Sequence, residues 1–235
     1  MIMQADVILV AAGKGERMGA VLPKPFLSLS GTPLLVHTLR AVTRSALVRK
    51  VILVIAAEHK SLCQKILQSY GPLSVPITLV YGGVERQDSV RCGLVALDPD
   101  SEIVAIHDAA RPFLDPDILD ASIHAAVEHG GAVVAVPARD TIKRVTEGGV
   151  VVETVPRQQL WLAQTPQTFR VSVIREAHAR AEAEGIIATD DAALLEWNGK
   201  AVTVVVGSPR NFKLTTPDDF WLAEAILAVK SPQKK

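Results

Sequence analysis

Cysteine and aromatic residues are scarce in this chain of 235 residues. Its two cysteines, Cys63 and Cys92, lie far apart and form no CxxC pair, which excludes a disulfide framework and argues against a zinc ribbon. We expect both to be small residues of the core. Aromatic residues make up 4% of the chain, so the sequence lacks the stripe of interleaved basic and aromatic residues that binds single-stranded nucleic acid.

The chain also lacks an excess of one charge and a long apolar run. Lys plus Arg and Asp plus Glu each number 25, which argues against a chain-wide surface for DNA or polyphosphate but leaves a local anion site open. The longest apolar runs, such as 7–12 and 51–57, fall short of the roughly 18 residues that span a bilayer. The N-terminus shows no basic region followed by an apolar run and a cleavage site. These features predict a soluble, cytosolic protein without a membrane partner.

Several catalytic motifs are absent. No GxSxG sequence indicates a hydrolase nucleophile, and no HExxH sequence indicates a zinc protease. The glycines after the first apolar run match neither the P-loop nor the GxGxxG fingerprint. We expect His107, beside Asp108, to pack or to form local hydrogen bonds.

Hydrophobic residues, at 49%, are sufficient for a substantial core. Continuous β-branched runs bounded by turn residues predict strands that are buried on both faces. These runs cover 6–10, 50–55, 77–81, 103–106, 132–136 and 202–206. Helix-length segments cover 33–45, 58–70, 86–97 and 116–129, and Thr216-Pro217 looks like a further helix start. The alternation predicts an α/β fold, a Rossmann-like, mostly parallel sheet with helices on both sides.

Residues 138–160 break this rhythm. Alternating polar and apolar residues at 141–146 and 150–155 flank a Gly148-Gly149 turn, which predicts a β-hairpin. An isolated hairpin is barely stable in water, so we expect this arm to pack on a second subunit. The polar tail, 230–235, is expected to be frayed.

The loop after the first strand carries glycines and cations. Gly13 and Gly15 allow a ligand to approach the backbone and present N–H groups to phosphate oxygens, and Arg17 and Lys24 add positive charge. Ligands in open α/β sheets bind at the carboxyl ends of the strands. The alternative is an ordinary glycine-rich turn with surface cations.

Asp108 stands at the end of the predicted strand at 103–106, so we expect it to face the same edge of the sheet. A lone carboxylate among phosphates suits Mg²⁺, which accepts one protein carboxylate together with substrate oxygens and water. The alternative is a structural ion pair between Asp108 and Arg111.

Two further segments carry weaker signals. Gly82 and Gly83 expose backbone groups after the third strand, and Ser89 has a hydroxyl for a base; the alternative is that Asp88 or Ser89 caps the next helix. Lys213 precedes a capped helix and, taken alone, would be a surface lysine.

Taken in order, these segments resemble the 2-C-methyl-D-erythritol 4-phosphate cytidylyltransferases of the non-mevalonate isoprenoid pathway. The segments that carry the resemblance are 11–18, 23–24, 85–89, 107–112, 140–141, 154–157, 164–167, 189–190 and Lys213. Each is modest alone, and their ordered combination over nearly the whole chain is specific. The resemblance implies the nucleotidyltransferase fold, with one domain over 1–235 and a dimerisation arm at 138–160.

The resemblance also implies a reaction. The phosphate of 2-C-methyl-D-erythritol 4-phosphate attacks the α-phosphorus of CTP, giving the CDP-alcohol and pyrophosphate. The implied CTP-binding residues are Ala11, Ala12, Gly13, Gly15, Gly83, Val84, Ser89 and Ala109. The implied catalytic cations are Arg17, Lys24, Arg157 and Lys213, with Thr141, Thr165 and Thr189 on the acceptor side and Asp108 as the Mg²⁺ ligand. Thr141 and Arg157 would come from the second subunit of a homodimer, and the alternative for Thr189 is a helix N-cap.

These roles suit the chemistry, because phosphoryl-type transfer depends on alignment and charge neutralisation and an ionised phosphate needs no general base. Two alternatives remain open. One is a cytidylyltransferase for another sugar-alcohol phosphate such as ribitol 5-phosphate, although that relative tends to carry Ala-Gly-Gly where this chain has Ala11-Ala12-Gly13. The other is a non-catalytic nucleotide-binding module, which would not need Arg17, Lys24, Asp108 and Lys213 together.

Overall fold

The computed structural model describes residues 4–13 and 22–230. In chain order the strands are β1 (Ala5–Val10), β2 (Ser28–Leu29), β3 (Thr32–Pro33), β4 (Val48–Ile55), β5 (Ile77–Tyr81), β6 (Ile103–Asp108), β7 (Gly131–Pro137), β8 (Ile142–Val145), β9 (Val151–Val155), β10 (Trp161–Arg170) and β11 (Thr203–Val206). The helices are α1 (Leu34–Val42), α2 (Lys60–Ser69), α3 (Arg86–Val95), α4 (Pro116–His129), α5 (Val171–Glu184), α6 (Asp191–Trp197) and α7 (Pro217–Lys230). Short 3₁₀ turns occupy Lys24–Phe26 and Ala57–His59.

A mostly parallel sheet forms the centre of the molecule, as the sequence predicts. Within the described ranges it has seven strands in the order β11-β7-β10-β6-β1-β4-β5. β1 pairs in parallel with both β4 and β6, and β7 pairs in parallel with β11. Only β10, among these strands, is antiparallel to its neighbours β6 and β7. The carboxyl ends of β1, β4, β5 and β6 therefore share one edge of the sheet.

Helices cover both faces of the sheet because successive strand residues point to opposite sides. On one face Leu9 packs in a core cluster with residues of α1, α2 and α4. On the other face its neighbour Ile8 packs with residues of α3, α5 and α6. A smaller cluster around Leu214 seats α7 against β2. The continuous apolar runs of the sequence thus reflect strands buried on both sides.

The observed bounds of several strands and helices agree well with those predicted from the sequence. β5 and α4 begin and end at the predicted residues. Asp115 caps α4 by accepting a hydrogen bond from the backbone N–H of Asp117, with Pro116 in the first turn. β10 has no counterpart among the predicted strands, because its inner half consists largely of buried polar residues and not of an apolar run.

The hairpin predicted for 138–160 is present. β8 and β9 pair in antiparallel fashion, and the turn contains Gly149 at φ +78°, a left-handed conformation that favours glycine. Val145, Val150, Val151 and Val152 are each more than half exposed. The arm thus presents apolar side chains to its surroundings.

The cysteines match the expected core positions in part. Cys63 is buried and Cys92 is half-buried, and burial raises the pKa of the Cys63 thiol to about 11. Within the described residues, no helix has the length and apolar character needed to cross a membrane.

Candidate active site

The candidate site lies at the sheet edge where β1 and β6 end side by side. The backbone N–H of Ala109 donates to the carbonyl of Val10 at 3.0 Å, and that of Ala11 donates to Val54 at 2.7 Å. The first bond holds the ends of β1 and β6 together, and the second holds the segment after β1 to β4, at the edge where ligands bind in open α/β sheets. The segment after β1 carries three of the predicted residues, namely Ala11, Ala12 and Gly13. Gly15 and Arg17 lie outside the described residues.

Asp108 is the charged centre of this edge. Its residue surface is 7% exposed, and its carboxylate accepts from Lys213 Nζ at 2.7 Å through Oδ2 and from Arg86 Nε at 3.2 Å through Oδ1. Burial by itself raises the pKa of this carboxyl, but the charges of Arg86 and Lys213 outweigh burial and hold the pKa below its usual range. Asp108 is therefore ionised at neutral pH.

The side-chain partners of the Asp108 carboxylate are Arg86 and Lys213, so the expected alternative of an Asp108–Arg111 ion pair is wrong; Arg111 bonds Asp108 only through the backbone, its N–H donating to the Asp108 carbonyl at 3.0 Å. Arg111 Nη1 instead donates to the backbone carbonyl of Asn211 at 2.7 Å. The geometric reason is that α3 brings Arg86 to the carboxylate from another part of the chain. No local pattern in the sequence points to this contact, because Arg86 lies 22 positions from Asp108.

Lys213 reaches Asp108 because a buried asparagine holds its loop. Asn211 is fully buried, and its Nδ2 donates to the carbonyl of Thr165 at 2.8 Å and to Gln164 Oε1 at 3.2 Å. Two residues after Asn211, the Lys213 side chain remains 41% exposed. A residue that the sequence alone presents as a surface lysine is thus fixed at the site with its side chain partly open to solvent.

A chain of hydrogen bonds supports the end of β6. The backbone N–H of Asp108 donates to Thr165 Oγ1 at 3.0 Å, and the Thr165 hydroxyl lies 2.9 Å from His107 Nδ1. His107 Nε2 lies 3.1 Å from the carbonyl of Arg111, which only accepts, so Nε2 carries the proton and Nδ1 accepts from Thr165. Burial lowers the pKa of His107 to about 4, in agreement with a neutral ring. The bond of His107 to Arg111 is local, as expected, whereas its bond to Thr165 joins it to the distant strand β10.

The segment after β5 brings a second group of predicted residues next to the first. A Cβ on Gly82 would lie 2.5 Å from Ser89 Oγ and 2.7 Å from Ala12 Cβ, so these three residues are packed together. Gly83 is exposed, and Val84 is 87% exposed. The loop therefore offers accessible backbone beside a tightly packed corner.

The start of α3 shows which residues cap this helix, the alternative role expected for Asp88 or Ser89. Glu85 is the N-cap, and Asp88 completes a capping box by accepting from the Glu85 N–H at 3.1 Å. Ser89 is not the cap; its hydroxyl donates to the carbonyl of Glu85 at 3.1 Å and is buried. Asp88 thus takes part in the cap together with Glu85, while Ser89 lies at the packed corner beside Ala12.

Thr189 lies on the segment that precedes α6. The N-cap of that helix is Asp190, whose side chain accepts from the N–H of Ala193, so the alternative that Thr189 caps the helix is wrong. The next residue, Asp191, is 1% exposed and accepts from Arg86 Nη1 at 2.7 Å. This segment is therefore tied to the carboxylate centre through Arg86.

The predicted arm residues stay apart from this centre within one chain. Thr141 and Arg157 are exposed, and Arg157 Nη1 donates to the carbonyl of Arg139. Among the described residues, no hydrogen bond or ion pair connects Thr141 or Arg157 to Asp108 or Lys213.

Lys24, a further predicted catalytic cation, begins the 3₁₀ turn that follows Pro23.

The side chains fit a magnesium ion that arrives with phosphates. Asp108 supplies one ionised carboxylate at the open edge, and within the described residues no group of three or more His, Cys, Asp or Glu surrounds a common point. Mg²⁺ accepts this situation, because it binds through one carboxylate plus substrate oxygens and water. A zinc site held by protein ligands alone needs more donors.

Comparisons with known proteins agree with this geometry. A family model described as 2-C-methyl-D-erythritol 4-phosphate cytidylyltransferase matches residues 5–229. A protein of that name from Pelotomaculum thermopropionicum is 44% identical, covering 95% of this chain and 94% of the relative. One from Bacillus velezensis is 46% identical, covering 97% and 98%.

Solved structures give the same result. The 4-diphosphocytidyl-2C-methyl-D-erythritol synthase of Anaerococcus prevotii superposes with a TM-score of 0.85 at 31% identity, covering 97% of this chain and all of that one. The 2-C-methyl-D-erythritol 4-phosphate cytidylyltransferase of Thermus thermophilus gives 0.80 at 34% identity, covering 96% and 100%. Both the family model and these relatives extend over nearly the whole chain. The chain belongs to the 2-C-methyl-D-erythritol 4-phosphate cytidylyltransferase family.

Proposed function

We propose that the chain transfers CMP from CTP to 2-C-methyl-D-erythritol 4-phosphate, giving 4-diphosphocytidyl-2-C-methyl-D-erythritol and pyrophosphate for isoprenoid precursor synthesis. Membership of the family supports the activity. At the site, the supporting observation is the pair of Asp108 and Lys213 at the open sheet edge, 2.7 Å apart. This pair supports the proposal, because a carboxylate of the kind that binds Mg²⁺ and a partly exposed lysine lie together at the ligand-binding edge of the sheet.

Charge neutralisation is the main contribution of the protein to this reaction. Two anionic phosphates repel each other, and Lys213 presents its ammonium to the open side of Asp108. We assign Arg17 and Lys24 to the phosphates of CTP, because a transfer of this type is accelerated by fixed cations around the developing charge. Mg²⁺ held by Asp108 would supply further positive charge. No side chain is needed as a base, since the acceptor phosphate is already ionised.

The nucleoside part of CTP is assigned to the corner where β1, β5 and β6 end. The residues assigned to CTP are Ala11, Ala12, Gly13, Gly15, Gly83, Val84, Ser89 and Ala109. Small side chains and accessible backbone at this corner allow N–H and C=O groups to approach a base and a ribose. The packing of Gly82 against Ser89 and Ala12 supports a corner of fixed shape.

The acceptor side is assigned to two subunits. Thr165 and Thr189 lie on elements connected to Asp108 within the chain. Thr141 and Arg157 lie beside the strands of the exposed arm, and we propose that they reach the site of a second copy of this chain. The exposed valines of the arm support this assignment, because such a surface is stabilised when another subunit covers it. We further infer one domain over 1–235, and a cytoplasmic location where these charged metabolites occur.

A substrate assay tests the proposal. The purified protein is incubated with CTP and Mg²⁺ plus either 2-C-methyl-D-erythritol 4-phosphate or ribitol 5-phosphate, and pyrophosphate release is measured. Turnover with the first acceptor is expected. Release only with ribitol 5-phosphate would replace the proposed acceptor, and CTP binding without turnover of any polyol phosphate would favour a binding module.

A further inference from the structure

Arg86 connects two buried carboxylates that lie far apart in the chain. Its Nε donates to Asp108 Oδ1 at 3.2 Å, and its Nη1 donates to Asp191 Oδ2 at 2.7 Å. Both aspartates are almost fully buried. One guanidinium bonds both because its planar donors point in different directions, which a lysine ammonium at the end of a flexible stem does not reproduce.

Asp191 holds the far side of this guanidinium in a fixed place. The backbone N–H groups of Asp191 and Ala192 both donate to Gln167 Oε1 at 3.0 Å, which ties the start of α6 to β10. His178 Nε2 lies 3.4 Å from the other oxygen of Asp191. Arg86 therefore extends from a rigid anchor towards Asp108.

The two cations at Asp108 occupy different sides of the carboxylate. Arg86 takes Oδ1 and is the less exposed of the two, while Lys213 takes Oδ2 from the more exposed side. Because Oδ1 is bonded to the less exposed Arg86, Oδ2 is left to the more exposed Lys213. That is the side on which the acceptor phosphate and a magnesium ion would lie.

We propose that Arg86, anchored by Asp191, is a positioning residue that orients the Asp108 carboxylate with Oδ2 towards the reacting phosphates. This inference rests on the proposed function. It assigns a role to a residue of the 85–89 segment that touches no substrate in the assignments above. The competing explanation is that Arg86 only neutralises the buried charge of Asp191.

A charge-balanced double variant separates the two explanations. Arg86→Gln alone leaves Asp191 buried without its arginine partner, which destabilises a fold strongly. Arg86→Gln combined with Asp191→Asn removes both charges and leaves an amide pair, while Asp108 loses its interior partner. Arg86→Lys keeps the charge and provides a second variant should the double variant fail to fold. Arg91→Gln is the matched control, because Arg91 lies on the same helix with similar exposure and two ion pairs, to Asp88 and Glu182.

The measurements are Tm, kcat, and KM for CTP and for the acceptor. We expect the double variant to melt within a few degrees of the wild type and to lose at least about tenfold in kcat, with KM for CTP changed less than about threefold. This division is expected when a charged group is no longer oriented for the transition state. Arg86→Lys should show the same division between kcat and KM, and Arg91→Gln should remain within about twofold of wild type. Wild-type kcat in the double variant or in Arg86→Lys would show that Arg86 serves Asp191 alone and would overturn the proposal.

A crystal structure of the double variant tests the same inference without turnover. The Asp108 side chain is expected in a different rotamer or in more than one. An unchanged, single orientation of the carboxylate contradicts the positioning role even if the wild type proves inactive with the proposed substrates. In contrast, a wild type that turns over neither acceptor contradicts the proposed function and leaves the rotamer result to decide the role of Arg86.

Discussion

The sheet edge around Asp108 and the arm at 138–160 both depart from the usual rule that apolar side chains are buried and polar ones exposed. The edge buries polar side chains, and the arm exposes apolar ones. At the edge, polar side chains such as Asp108, Thr165 and Asn211 are buried and bonded. In the arm, apolar side chains such as Val150 and Val152 are exposed. Buried polar groups and exposed apolar patches are the informative exceptions in a folded protein. The first region is built by one chain, whereas we expect the second to need another surface to complete it.

Among the predicted effects, the largest is the loss of kcat on substitution of Lys213. Lys213→Ala is expected to lower kcat by about 10²- to 10³-fold, because a fixed cation is lost where charge develops. Tm should fall by only a few degrees, since the buried Asp108 carboxylate keeps its bond to Arg86. Lys65→Ala, on an exposed face of α2, is the control and should keep wild-type kcat. A Lys213→Ala enzyme with normal turnover would remove this lysine from the proposed mechanism.

Subunit mixing tests whether the arm is completed by a second copy. Lys24→Ala and Arg157→Ala are each expected to be inactive alone. After subunit exchange at equal amounts, one site in each mixed dimer keeps both wild-type residues, so about a quarter of wild-type turnover should return, since half of the dimers are mixed and each has one intact site. Absence of recovery despite exchange shown by mass spectrometry would count against an arm that acts in trans.

Acidification should lower the free energy of unfolding through His107, which lies at the end of β6. Its pKa is about 4 in the folded chain and about 6.5 in an unfolded one. Between these values the unfolded chain binds a proton that the folded chain does not, so the free energy of unfolding falls as the pH drops through this window. From pH 7 to pH 5 the expected loss from this group is about 2 kcal/mol.

Urea unfolding of the wild type and of His107→Gln at both pH values isolates this effect. The variant should lose less stability on acidification than the wild type. An equal loss in both proteins would mean that other groups cause the pH dependence.

A methyl group added to a glycine should lower the affinity for CTP at the sheet edge and leave it unchanged in the arm. In Gly82→Ala the new Cβ meets Ser89 Oγ and Ala12 Cβ at less than 3.0 Å, so the corner must shift, and CTP affinity measured by calorimetry should fall about tenfold, which is about 1.4 kcal/mol. Gly148→Ala in the arm meets Thr146 Oγ1 at an ordinary 3.8 Å and should bind CTP normally. Equal affinities in the two variants would argue against the nucleoside site at this corner.

The smallest effect is expected for a charge pair of the arm. Arg144 and Glu153 pair across β8 and β9 with both side chains at least half exposed. Glu153→Gln should change the free energy of unfolding by less than about 0.5 kcal/mol, because solvent screens such a pair. A larger loss in thermal unfolding would show that the arm is more rigid and better shielded than its exposure suggests.

The sequence predicts those parts of the fold whose signal is local. The apolar runs mark β1, β4, β5, β6, β7 and β11, and the Gly148-Gly149 turn marks the hairpin. β10 has no such signal, because Gln164, Thr165, Gln167 and Thr168 are polar residues whose burial is made possible by their hydrogen bonds. That burial depends on partners that the chain supplies from distant positions.

The same distinction applies to the site. Asp108 is predictable from its place after a buried strand, and the family resemblance adds Lys213 and Thr165, which the structure brings to the same edge. Arg86 receives no role from the sequence, because its partners lie 22 and 105 positions away. The places of Gly15 and Arg17, which lie outside the described residues, stay predictions.

The irregular middle of β10 limits where residues can be inserted into or deleted from the chain. Pairing of β10 with β7 shifts register between Ala163 and Gln167, and in this interval Thr165 bonds both β6 and Asn211. Inserting or deleting one residue between Trp161 and Phe169 would reverse the facing of the side chains on one flank. Engineered versions should therefore accept length changes in the surface turns but not within this strand, whose spacing sets the distance between the arm and the chemistry.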